Sequence, residues 1–146
     1  MSQHARPALS AVVDAVKALG HPGRLRILAM LRSGDLCVCQ VTAALGLATS
    51  TVSSHLSDLR RAGFVTERKT GKWVRYQLVC DSVLADLAGH ALRLADADGQ
   101  LEADRKTVRA LRTIPIETLC RTGVGAKAPR PTLKPRVNRP RNRRTS

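Results

Sequence analysis

The chain has 146 residues, with 25 Lys or Arg against 11 Asp or Glu and a net charge of +14. That length suits one domain with appendages, and the positive surplus points to a polyanionic partner, most simply nucleic acid. One Trp, one Tyr and one Phe argue against a stacking platform for single strands, and no run of 18 apolar residues offers a membrane span.

Residues 1–8 read as a flexible N-terminus. They lack the basic region and apolar stretch of a signal peptide, so a cytoplasmic protein with reduced thiols is expected. Leu9, Val12, Val13, Val16 and Leu19 then follow helical spacing up to Gly20. Pro22 suits the first turn of a second helix, whose apolar positions are Leu25, Ile27, Leu28, Met30 and Leu31 and which closes at Gly34. A short helix spans about Val38–Leu45 and stops at Gly46. Thr49 or Ser50 is placed to cap the next helix, which runs to about Ala62 with Val52, Leu56 and Leu59 inward.

Phe64–Lys69 and Trp73–Val79 read as two strands of a hairpin that turns at Thr70-Gly71-Lys72. Asp81 or Ser82 opens a long helical stretch, a further helix covers Gln100–Leu111, and Pro115 interrupts it. This last helical material has no expected partner in the core of its own chain. Residues 9–112 thus form the DNA-binding and dimerisation domain, mainly α with a β-hairpin wing (α+β). Residues 113–123 are a poorly structured segment bearing Cys120. Residues 124–146 are a basic tail, expected to be disordered. From Lys127 onward the tail holds eight Lys or Arg, four Pro and no acid. It carries +8 of the charge, so residues 1–126 remain basic on their own account.

A short helix, a turn at Gly46-Leu47-Ala48 and a polar-faced second helix make a helix-turn-helix, whose second helix enters the major groove by its N-terminal end. Its outward residues are expected to be Thr49, Ser50, Thr51, Ser53, Ser54 and His55, small hydroxyls and one imidazole that approach base edges or phosphates closely. Arg60 stands at the far end of that helix. Arg68, Lys69, Lys72 and Arg75 surround the hairpin turn, where a wing meets the DNA backbone. The expected partner is double-stranded operator DNA, with no cofactor needed for binding it.

Four segments carry a family resemblance: Ala18 to Leu28 (ALGHPGRLRIL), Asp35 to Val41 (DLCVCQV), Ser50 to Gly63 (STVSSHLSDLRRAG) and Arg68 to Leu78 (RKTGKWVRYQL). They resemble, in family order, the ArsR/SmtB winged-helix metal-responsive repressors, and in particular the arsenic-sensing branch. The resemblance implies a homodimer on a pseudo-palindromic operator, released when trivalent arsenic or antimony binds. Some arsenic sensors carry a third cysteine three residues after the second of a pair; this chain has Thr42 there.

The pair itself is Cys37 and Cys39. Trivalent arsenic is soft and favours thiolates, ideally three in a pyramid. Residues two apart on a regular helix diverge, so both sulfurs meet one ion only where the segment is extended or at a helix start. Cys120 is the candidate third ligand, with Cys80 the alternative. His4, His21, His55 and His90 do not pair at ligand spacing, and Asp86, His90, Asp96 and Asp98 read as surface. A thiol redox switch, or a sensor of another soft ion such as Cd(II), is the competing function. An enzyme is not expected: no CxxC and no Ser/His/acid or Cys/His arrangement is present.

Overall fold

The computed structural model describes residues 5–122; the expectations for the first residues and for the basic tail at 124–146 lie outside them. The elements in order are α1 Leu9–Leu19, α2 Pro22–Leu31, β1 Leu36–Cys37, α3 Val38–Leu45, α4 Thr49–Arg61, β2 Val65–Thr70, β3 Trp73–Leu78, α5 Val83–Ala95, α6 Gly99–Leu111 and α7 Ile116–Thr122. The mainly helical body and small sheet form a winged helix-turn-helix.

Local signals explain most boundaries. Gly46 ends α3 in the left-handed region at φ 66°, where its N–H still reaches Thr42 O, and this bends the chain into α4. Ser82 opens α5 by accepting from Ala85 N, and Asp98 opens α6 by accepting from Gln100 N. One expectation needs correction. Neither Thr49 nor Ser50 caps α4; they are its first two residues, and Ala48 stands at the cap position without a side-chain bond. The hydroxyls are thereby left on the solvent face.

The core gathers Ile27, Leu28, Met30, Leu36, Val41, Val52, Leu56, Leu59 and Phe64, all buried. Each such side chain contributes about 1.5–3 kcal/mol of transfer free energy. β2 and β3 form the wing hairpin, turning at Gly71, and β1 pairs antiparallel with β3, so the order is β1-β3-β2.

The C-terminal helices differ from expectation. They find their partners within the same chain, α6 against α2 and α3, and α7 against α3. Leu101 and Val108 of α6 and Leu119 of α7 are buried. Asp104 lies on the same buried face, and its carboxylate receives Arg26 Nε and Nη2, each at 2.8 Å. A charge inside an apolar stripe reads as solvated until its partner is known. The segment around Cys120 is likewise the helix α7, not irregular chain. No described helix is long and apolar enough to cross a membrane.

Candidate functional site

Cys37 closes β1, pairing across from Arg75 on β3, while Leu36 faces Tyr76. Its backbone is extended, at φ −84° and ψ 161°, and α3 starts one residue later. Cys39 therefore lies in the first helical turn, while Cys37 is still on a strand. This break lets two residues spaced two apart turn their sulfurs to one place. Gln40 reaches back to accept from Cys37 N at 3.0 Å and fixes the junction.

Cys120 arrives from α7. The sulfurs of Cys37, Cys39 and Cys120 all lie within 4.8 Å of one another, with Cys37 buried and the other two half-buried. Cys39 and Cys120 are joined as a disulfide across 81 residues of sequence, and Cys37 remains a free thiol. Cys80, the alternative third ligand, is an exposed free thiol outside this cluster. Thr42, one turn beyond Cys39, has a buried hydroxyl with no hydrogen-bond partner.

The loop leading into β1 is held from two sides. Arg112, just past α6, donates to Asp35 O at 3.1 Å and to Ser33 Oγ at 3.2 Å. Arg75 of the wing donates to the Asp35 carboxylate at 3.3 Å. Sequence reasoning missed the contacts of both arginines, since they depend on strand register or on the return of α6.

Of the DNA-facing candidates, Thr49, Ser50, Thr51, Ser53 and Ser54 are exposed along one side of α4, and Arg68, Lys69 and Lys72 are exposed on the wing. Lys72 Nζ sits 4.9 Å from the Trp73 ring centre. Three others are engaged elsewhere. His55, expected to face outward, is buried, its ring centre 4.5 Å from that of His21. Burial, then the neighbouring His21 and Arg24, push its pKa down, with Asp58 opposing. Arg60 donates to Glu67 at 2.6 Å, and Glu67 also accepts from Tyr76 Oη at 3.2 Å. Arg75 is half-buried against Asp35. Each departure has one reason: a neighbour on another element supplies a better partner than water.

Arg24 was not singled out from sequence, yet it joins three elements. Its Nε donates to Ala18 O at 2.6 Å and its Nη2 to Lys17 O at 3.0 Å, at the end of α1. Its Nη1 meets Asp58 of α4 at 3.4 Å. The helix-turn-helix is thus tied to α1 by one guanidinium, whose planar fork can serve several acceptors at once.

Comparison with known proteins agrees with this architecture. The model of the bacterial regulatory proteins of the arsR family matches residues 21–67. The arsenic resistance transcriptional regulator ArsR1 of Pseudomonas putida is 44% identical over 63 residues, 42% of this chain, and the match spans only about half (49%) of that relative. Among solved structures, the homodimeric winged helix-turn-helix DNA-binding domain Mb0332 of Mycobacterium bovis is 30% identical with a TM-score of 0.55, covering 62% of this chain and 83% of that one. The antimony-specific transcriptional repressor AntR is also 30% identical, with a TM-score of 0.51, covering 68% of this chain and 94% of that one. With the helix-turn-helix, the wing and these relatives in register, the chain belongs to the ArsR family of bacterial regulatory proteins.

Proposed function

We propose that this chain is a transcriptional repressor that holds operator DNA as a homodimer and releases it when trivalent arsenic or antimony is bound by Cys37, Cys39 and Cys120. The observation that carries the reading is the meeting of three sulfurs within 4.8 Å, drawn from the start of α3 and from α7. A soft pyramidal ion asks for that donor set, and a cytoplasm that keeps thiols reduced would leave all three available. The names of the similar regulators, one for arsenic resistance and one antimony-specific, support the same inducer class.

DNA is met by Thr49, Ser50, Thr51, Ser53 and Ser54 on α4 and by Arg68, Lys69 and Lys72 on the wing. Leu9, Val13 and Val16 on α1 and Leu94 on α5 leave apolar surface for a second copy. Inducer bound at the start of α3 pulls on the first helix of the motif, which packs against α4. Metalloid and operator then weaken each other's affinity reciprocally.

The test is arsenic X-ray absorption on the reduced chain. Three sulfurs are expected around arsenic, and two after Cys37→Ser, Cys39→Ser or Cys120→Ser. Loss of operator release in Cys37→Ser and Cys39→Ser completes it; normal release in either would place the site elsewhere.

The disulfide between Cys39 and Cys120 favours a second reading, a thiol redox switch. Here the two thiols give two protons and two electrons to a peroxide, which leaves as water, and the sulfur–sulfur bond forms. Operator release by peroxide without metalloid, abolished in Cys120→Ser, would select this reading.

A further inference from the structure

We propose that Asp35 and Arg75 couple the thiol cluster to the wing, so that inducer binding repositions the wing as well as the recognition helix. The inference rests on the reading of Cys37, Cys39 and Cys120 as the inducer site, and concerns how that site is heard at the DNA.

Three observations place the coupling here. Cys37 is itself the strand residue paired with Arg75, so one inducer ligand belongs to the strand that joins β3 in the wing sheet. Two residues before Cys37, the Asp35 carboxylate holds the Arg75 guanidinium at 3.3 Å, and both groups are about a third exposed or less. The same Asp35 is held through its carbonyl by Arg112, at the end of the helix that leads to Cys120. Thus both limbs that deliver sulfur converge on one residue, and that residue grips the wing.

The path continues beyond β3. Tyr76, which pairs with Leu36, donates to Glu67 on β2, and Glu67 receives Arg60 at the end of α4. A shift of β1 therefore has a connected route of polar contacts to the wing and then to the recognition helix. Arg75 acts on DNA through this arrangement: it positions the strand that begins at Trp73, next to Lys72 of the turn. A short sheet segment does not deform continuously; it keeps its register or gives it up, which suits a two-position device.

The single tryptophan of the chain, Trp73, lies on the wing strand and makes the experiment direct. Its emission is recorded while arsenite is titrated into the reduced full chain. Alongside, the ratio of dissociation constants with and without saturating arsenite is measured on a duplex that the wild type selects from a randomised pool. Wild-type emission is expected to change in step with arsenite binding, and Cys37→Ser to abolish the change. Asp35→Asn should keep arsenite affinity and sulfur count, lose most of the emission change, and reduce the ratio by about fivefold, which is the scale of a partly exposed ion pair.

Wild-type emission that stays constant while arsenite releases DNA would overturn the inference, as would an unchanged ratio in Asp35→Asn. Parallel loss of arsenite affinity and coupling in Asp35→Asn would assign Asp35 to the site itself, and would also overturn it. No effect of arsenite on the wild-type dissociation constant is a different result, because it would remove the inducer reading on which the inference stands.

Discussion

Arg26 on α2 and Asp104 on α6, separated by 78 residues, meet as a two-pronged ion pair with both contacts at 2.8 Å and the Asp104 side chain only 4% exposed. Gln100 donates to the same carboxylate at 2.9 Å. Removing one member of such a pair strands the other charge, and about 3 kcal/mol of stability is expected to go with it. Asp104→Ala should therefore lower the urea midpoint. It should also loosen α6 and weaken arsenite affinity to the level of Cys120→Ser, while the preference for the selected duplex survives. Unchanged arsenite affinity in a measurably destabilised variant would show that α7 holds Cys120 in place without α6.

The third sulfur can be moved. Thr42 follows Cys39 by three residues on α3, and residues at that spacing share a helix face. Cysteine there, in a chain already carrying Cys120→Ser, is expected to restore a three-sulfur arsenic signal and operator release. Cys80→Ser should change neither, since its thiol lies outside the cluster. A two-sulfur signal in the Thr42→Cys, Cys120→Ser chain would mean that the α3 helix cannot turn the new thiol toward Cys37.

For the wing, the prediction is electrostatic. Lys69 and Lys72 are exposed beside the hairpin turn. Replacing both with Gln should weaken binding to selected and scrambled duplexes alike, and flatten the salt dependence by about one unit of slope for each phosphate that is no longer neutralised. Weakening confined to the selected duplex would instead mean that the wing reads bases.

His55 gives a pH dependence with a definite sign. Its pKa is held below the ordinary 6.5 by burial first and by His21 and Arg24 after it. As pH falls through that ordinary value, the unfolded chain takes up a proton that the folded chain refuses, so stability declines and levels off only below the folded-state pKa. Urea midpoints at about pH 7.5 and about pH 5.5 should therefore differ more for the wild type than for His55→Gln. Equal differences in the two proteins would contradict the assignment.

Much of this was legible in the sequence because the DNA-reading half is built from local signals. Gly46, Gly63 and Gly71 punctuate it, and Val52, Leu56 and Leu59 repeat at helical spacing. The extended start at Cys37 followed from the requirement that two sulfurs meet. Three things were not legible. His55 follows Ser53 and Ser54 and reads as part of their face, until His21, brought up by the turn after α1, takes it inward. The return of α6 is hidden by Asp104, whose charge masks a buried stripe. Arg75 looks like any wing cation, because the register that sets it against Asp35 exists only once β1 joins the sheet. In each case a meeting of distant residues overrides what the neighbours in sequence suggest.

The sequence separation of 81 between Cys39 and Cys120 also imposes an order in time. A ribosome completes the recognition helix and the wing well before it reaches α7, and N-terminal portions fold as they emerge. On the proposed reading, a newborn chain gains its grip on DNA before it gains its full capacity to be dismissed from it. A reading-frame shift or stop codon between α6 and Cys120 would fix that juvenile condition, giving a silencer with a blunted ear for metalloid. Selection for cells that survive arsenite should accordingly find few lesions in that interval, and selection for permanent silence should find them there.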